Sequence, residues 1–201
     1  MAISVPLSGT MVAPKGALSN QVMSTGEDEL VLISASPISQ LDRVLPGAMH
    51  YPEEYGSIEN SLGKDGDFLD VICLNDNPTF PGCHLPIRII GVLKMIDDGE
   101  EDNKILAVNA VNSRFQNIND LKNVSSGKLD EIANFFLRYK ELEKKEVKIF
   151  GWGNKKEAKE ILARGQYLYL KHQELVRKGP NHKKKLVEML KEEEINLSSS
   201  I

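Results

Sequence analysis

The chain has 201 residues, of which 41% are hydrophobic and 27% are charged, and its formal net charge is −4. These proportions are typical of a globular protein that can bury one sizeable core. The acidic balance argues against binding to nucleic acid, and the lack of a long apolar run argues against a membrane-spanning segment. Two cysteines that need not pair indicate a reducing compartment, so we expect a cytoplasmic protein.

Short apolar segments recur along the chain between prolines and glycines, and each predicts a β-strand. These segments are residues 29–34, 69–74, 85–95, 105–109 and 147–152. Two helices are also expected, at 126–145 and 154–178, because each segment opens with a serine or asparagine that can cap a helix. Strands at this spacing suit a small barrel, with the helices outside it.

Gly179 and Pro180 end the second predicted helix. Beyond them, runs of lysine and glutamate bracket four apolar residues, which predicts a short amphipathic helix or a solvated, frayed tail. We therefore expect a single domain over residues 1–178 and a charged tail over residues 179–201. A role of this tail in self-association or partner binding is an open alternative.

Two acidic clusters carry the strongest chemical signal. Asp65, Asp67 and Asp70 fall within six residues, and a second cluster spans residues 97–102 with Lys104 two positions on. Taken alone, Asp-Gly-Asp is most often a solvated turn. However, Mg²⁺ takes oxygen ligands and is usually held by carboxylates together with substrate phosphate, so the paired clusters indicate a magnesium and phosphate site. The histidines and cysteines lack the paired spacing of zinc sites.

The segment Asp65-Gly66-Asp67-Phe68-Leu69-Asp70 resembles the signature of the family I soluble inorganic pyrophosphatases, Asp-x-Asp-Pro-x-Asp. The resemblance extends over about residues 11–163. Its further segments are Asp42-Arg43, Tyr51-Pro52-Glu53-Glu54-Tyr55-Gly56, Pro81-Gly82-Cys83, Gly91-Val92-Leu93-Lys94-Met95-Ile96-Asp97, Asp102-Asn103-Lys104 and Phe136-Leu137-Arg138-Tyr139-Lys140.

This resemblance implies an α+β, mainly β fold, namely a five-stranded barrel of the oligonucleotide-binding (OB) type flanked by two C-terminal helices. It also implies Mg²⁺-dependent hydrolysis of inorganic pyrophosphate, with Mn²⁺ or Zn²⁺ as substitutes. The partner expected beside pyrophosphate is a second copy of the chain. The homo-oligomer would be a hexamer if the protein is of the bacterial type, and a dimer or monomer otherwise.

The resemblance further implies a role for each matching residue. The metal ligands would be Asp65, Asp70, Asp97 and Asp102, and Asp67 would be the general base toward the attacking water. The residues expected to contact pyrophosphate are Arg43, Tyr55, Lys104, Tyr139 and Lys140. From the residues alone, Tyr139 would be assigned to the core and Lys140 to a solvated helix face.

The first 40 residues form a divergent N-terminal region. Val12, Gln21 and Met23 stand where the family has charged residues. Glu27 and Glu29 lie nearby and are candidates to replace a lost ligand. One wall of the cleft is therefore expected to differ from the family pattern.

Phe68 occupies the position of the signature proline, whose ring would restrict the residue before it, Asp67.

These departures from the family pattern leave two hypotheses about function. The chain is a working pyrophosphatase with a full or reduced rate, or it is a non-catalytic paralogue with a structural or phosphate-binding role. The retention of all four metal-binding carboxylates, the base and the basic contacts favours the enzyme.

Overall fold

The computed structural model describes residues 31–34, 45, 49–80 and 83–198. The strands in these ranges are β1 Val31–Ser34, β2 Glu54–Ile58, β3 Asp70–Leu74, β4 Leu85–Asp97, β5 Glu100–Glu101, β6 Lys104–Asn109 and β7 Val147–Asn154. The α-helices are α1 Ser126–Arg138, α2 Lys155–Arg177 and α3 Lys183–Ser198. None of the helices in these ranges is long and apolar enough to cross a membrane.

Five of the strands pair in a circuit. The pairs run from β1 to β2, β3, β6 and β4, and β4 then pairs with β1. Strands β3 and β6 are parallel, whereas the other pairs in the circuit are antiparallel. The prediction of an OB-like five-stranded barrel with C-terminal helices is therefore confirmed.

Both faces of β3 and β6 are buried, which explains their nearly continuous apolar sequences. Because side chains alternate along a strand, Val71 and Ile105 pack in one core cluster with Ala158 and Leu162 of α2. Their neighbours Ile72, Leu74, Leu106 and Val108 pack in a second cluster with α1. Cys73 belongs to the first cluster and is fully buried. Helices α1 and α2 therefore cover opposite faces of the same strands.

The structure corrects two details of the strand prediction. Strand β2 completes the circuit but was not predicted, because Glu54, Tyr55 and Gly56 give it little apolar signal. The predicted strand at 147–152 is observed as β7, but it pairs with the C-terminal half of β4 and lies outside the circuit.

Helix α1 ends at Arg138 rather than at residue 145. The chain then enters a 3₁₀ turn at Glu141–Glu143, which ends at Lys144 with a φ of 57°. The sequence after Tyr139 is rich in helix formers, but Leu142 is 71% exposed, so no packing supports a longer helix there.

Helix α2 begins after Asn154, whose side chain accepts hydrogen bonds from the backbone N–H groups of Lys156 and Glu157. Helix α3 packs back against α2, burying Leu186 and Leu190. The segment beyond Pro180 thus contains a helix. The division of the chain at residue 178 remains a prediction.

Candidate active site

The strand order brings four of the predicted site residues to one edge of the barrel. Because β3 and β6 run in parallel, their first residues, Asp70 and Lys104, lie at the same end. Strand β4 is antiparallel to β6, so its last residue, Asp97, reaches that end too. Asp102 precedes β6 directly.

Lys104 lies at the centre of this edge. Its side chain is only 2% exposed, and its Nζ lies 2.5 Å from Oδ2 of Asp70 and 2.5 Å from Oδ1 of Asp102. Burial by itself would lower the pKa of Lys104, but the two carboxylates outweigh that effect and raise it. The hydroxyl of Tyr55 also donates to Oδ2 of Asp70, at 2.6 Å. Lys104 is therefore held as a buried cation between two acids.

Asp97 is bound through one of its two oxygens. Oδ2 accepts a hydrogen bond from the Tyr139 hydroxyl at 2.8 Å and forms an ion pair with Lys140. Burial would raise the pKa of Asp97, but the bonds from Lys140 and Tyr139 prevail and lower it. Oδ1 is buried and has no hydrogen-bond partner in the described part of the chain. This oxygen is thus an unsatisfied acceptor.

Asp65 and Asp67 lie on the loop between β2 and β3. The backbone N–H of Gly63 donates to the carbonyl of Asp67 at 2.8 Å. The backbone N–H of Asp67 in turn donates to Oδ1 of Asp65 at 3.1 Å. Gly66 adopts a φ of 77°, which glycine tolerates without strain. Burial, followed by the nearby charge of Asp67, raises the pKa of Asp65 to about 6.

A cleft of about 90 Å³ connects this loop to the strand edge. Asp65, Asp70 and Asp102 line it, together with Arg164 of α2. Three of the four predicted metal ligands therefore share one cavity, and Asp97 does not line it. Arg43, Val12, Gln21, Met23, Glu27 and Glu29 lie outside the described residues.

Within the described ranges, no group of three or more His, Cys, Asp or Glu side chains is arranged to hold a metal ion. The carboxylates instead contact lysines: Asp70 and Asp102 pair with Lys104, and Asp97 pairs with Lys140. The set nevertheless fits a hard divalent cation, because every candidate ligand atom is a carboxylate oxygen. Oδ1 of Asp97 is a buried acceptor that such a cation would satisfy.

The sequence did not predict the contact between Asp67 and the C-terminal segment. Nζ of Lys183 lies 2.5 Å from Oδ2 of Asp67. The lysine run at 183–185 is visible in the sequence, but it gives no indication of which of its members reaches the loop.

Replacing Tyr139 with phenylalanine is expected to lower the free energy of unfolding by about 1.5 kcal/mol, because it removes a buried hydrogen bond to a charged group. Urea denaturation of the purified variant measures this loss. Tyr167→Phe is the matched control, since Tyr167 is 60% exposed. Equal stability of the two variants would contradict a structural role for the Tyr139 hydroxyl.

Comparison with known proteins agrees with this geometry. The family model described as inorganic pyrophosphatase matches residues 27–169. The inorganic pyrophosphatase of Halalkalibacterium halodurans is 46% identical over 125 residues, covering 62% of this chain and 77% of that protein. The solved structure of inorganic pyrophosphatase from Thermus thermophilus superposes with a TM-score of 0.70 at 34% identity, covering 76% of this chain and 97% of that one. The Helicobacter pylori inorganic pyrophosphatase gives 0.68 at 32% identity, with coverages of 76% and 99%.

Proposed function

Because the chain belongs to the inorganic pyrophosphatase family and hydrolyses inorganic pyrophosphate, we propose that this reaction takes place at the barrel edge that carries Asp70, Asp97, Asp102 and Lys104. The observation that carries the proposal is the convergence of these side chains from three strands. The family match and the close relatives do not favour the non-catalytic alternative.

The metal ligands in this proposal are Asp65, Asp70, Asp97 and Asp102, with Mg²⁺ as the preferred cation and Mn²⁺ or Zn²⁺ as substitutes. When bound, a divalent cation supplies Lewis-acid polarisation of water and of phosphate oxygens. The family is metal-dependent, and the all-carboxylate ligand set supports the choice of Mg²⁺.

Asp67 is the proposed general base. It takes the proton of the water that attacks one phosphorus of pyrophosphate, and the bond from that phosphorus to the bridging oxygen then breaks to release two phosphates. The Asp67 side chain is 44% exposed, so water and substrate can reach it.

The proposed phosphate contacts are Arg43, Tyr55, Lys104, Tyr139 and Lys140. Lysine and arginine cations stabilise the negative charge that develops on the leaving phosphate. Burial, reinforced by neighbouring aspartates, raises the pKa values of Tyr55 and Tyr139. Both hydroxyls therefore stay protonated. Each donates its single proton to an aspartate, Asp70 or Asp97, and would have to turn it toward a phosphate oxygen to make the proposed contact.

Removal of divalent metal is expected to abolish phosphate release from pyrophosphate, and added Mg²⁺ is expected to restore it. The reason is that the carboxylates repel an anionic substrate unless cations intervene. The measurement is phosphate release by the purified chain in Mg²⁺, beside a chelated sample. Turnover that persists in chelator would contradict the metal assignment. Absence of turnover in folded, Mg²⁺-loaded protein would favour the non-catalytic paralogue.

We also propose a homo-oligomer in the cytoplasm. Exposed apolar side chains on β7 and α2, including Phe150, Tyr167 and Leu170, support self-association. Cys73 and Cys83 are both free, which agrees with a reducing compartment. Light scattering would give the mass of the assembly, and a monomer would contradict the first proposal. Fractionation of cells would test the second.

A further inference from the structure

Helix α3 lies beyond the residues 27–169 that the family model matches, yet it reaches the proposed catalytic loop. Lys183 is the first residue of this helix, and its Nζ lies 2.5 Å from Oδ2 of Asp67. The side chains of Lys183 and Asp67 are 37% and 44% exposed, so the pair lies near the protein surface rather than in the core. Asp65 and Phe68, on either side of Asp67 in the loop, line the cleft.

The position of Lys183 is fixed by the packing of α3 on α2. Leu186 is 3% exposed and Leu190 is 6% exposed, and both pack with Leu168 and Tyr169. One turn further along α3, Oε1 of Glu193 lies 2.9 Å from Nζ of Lys171. The same oxygen is hydrogen-bonded to Nε2 of His172, also at 2.9 Å. Undocking α3 would expose these apolar side chains, so the packing on α2 holds α3, and with it Lys183, in a stable position.

The same helix packs directly against the loop that carries Asp67. A Cβ on Gly66 would lie 3.1 Å from Cγ2 of Val187, which shows how closely the two segments approach. On the other side of Asp67, the ring of Phe68 packs edge-on against Tyr169, with 5.9 Å between ring centroids. Both neighbours of Asp67 are therefore held by the C-terminal helices.

We propose that Lys183 is a positioning residue for Asp67 in the hydrolysis of pyrophosphate, an inference that rests on the proposed function. A proline after Asp67 would restrict its backbone, and Phe68 does not. Packing of Phe68 and Gly66 fixes the backbone instead, and the ion pair with Lys183 fixes the carboxylate. The pair engages Oδ2, which orients Oδ1 to accept the proton from water. A misplaced base costs rate because proton transfer requires close, aligned groups.

The test compares Lys183→Ala with Lys183→Arg and with Lys185→Ala, which removes the same charge from an exposed position on the same helix. Lys183→Ala is expected to lower kcat by roughly 10- to 100-fold with little change in KM, because a misplaced group loses rate rather than substrate binding. Lys183→Arg is expected to recover most of the rate, and Lys185→Ala is expected to match the unmodified chain. Hydrogen exchange of residues 63–68 is expected to stay unchanged in all three variants, because the packing of Gly66 and Phe68, and not the ion pair, fixes the backbone.

Several outcomes would overturn the inference. Activity of Lys183→Ala equal to or above that of the unmodified chain would show that Lys183 is dispensable or that it blocks the base. An equal loss in Lys185→Ala would indicate a general effect of charge. If the unmodified chain itself gave no turnover, the proposed function would fail. If the unmodified chain turned over but Lys183→Arg recovered none of the rate lost in Lys183→Ala, the positioning role alone would be rejected.

Discussion

Replacement of Asp67 by asparagine is expected to lower kcat for pyrophosphate by roughly 10²- to 10⁴-fold, the usual contribution of a positioned general base. Asparagine keeps the shape of the side chain but cannot take the proton from the attacking water. Because the proposed metal ligands and phosphate contacts remain, KM should change little. Steady-state phosphate release over a range of substrate concentrations, at saturating Mg²⁺, measures both constants.

Asp98→Asn is the matched control for this substitution. Asp98 belongs to the second acidic cluster, but its side chain is exposed and its φ is 51°, a conformation that asparagine tolerates. This variant should retain the full rate. An Asp67→Asn variant as active as Asp98→Asn would remove Asp67 from the mechanism.

Replacement of Lys104 by methionine is expected to lower the free energy of unfolding by about 3 kcal/mol in the absence of metal, the lower end of the cost of breaking a buried ion pair. The lower end applies because Asp70 and Asp102 are themselves 30% and 27% exposed. The variant leaves two neighbouring carboxylates without their shared cation. Urea denaturation in chelator measures the loss.

Mg²⁺ should recover part of this loss, because a bound divalent cation would neutralise the same two carboxylates and stabilises the folded state by mass action. We therefore expect Mg²⁺ to raise the melting temperature of Lys104→Met by more than it raises that of the unmodified chain. Lys148→Met is the control, since Lys148 is 58% exposed. Equal Mg²⁺ effects on all three proteins would argue against a cation site beside Asp70 and Asp102.

The sequence predicts the strands whose side chains are mostly apolar. The acidic motifs beside these apolar segments indicate about where the strands begin or end. Asp70, Asp97 and Lys104 each fall at the end of such a strand, so their place at an edge of the barrel could be predicted. Their convergence depends on strand order, which came from the family resemblance and not from the residues. Strand β2 could not be predicted, because pairing with β1 and β3, rather than its own composition, determines its conformation.

The contact between Lys183 and Asp67 could not be predicted for a different reason. The apolar spacing of Leu186 and Leu190 shows that α3 has a face to bury, but it does not identify the surface that covers that face. The surface is formed by residues far apart in sequence, Leu62 and Leu168 among them. Only the assembled chain brings the lysine to the loop.

Because Cys73 is buried in the barrel, the chemical reactivity of its thiol reports on opening of the barrel. Its thiol is fully buried on β3, and burial raises its pKa, so an alkylating reagent cannot reach a reactive thiolate while the strands stay paired. Cys83 is partly exposed and offers an internal reference for reagent access. The rate at which Cys73 is labelled in the native protein therefore measures how often the barrel opens around β3, without denaturant. Labelling of Cys73 as fast as that of Cys83 would show that β3 separates from its neighbours in the native state.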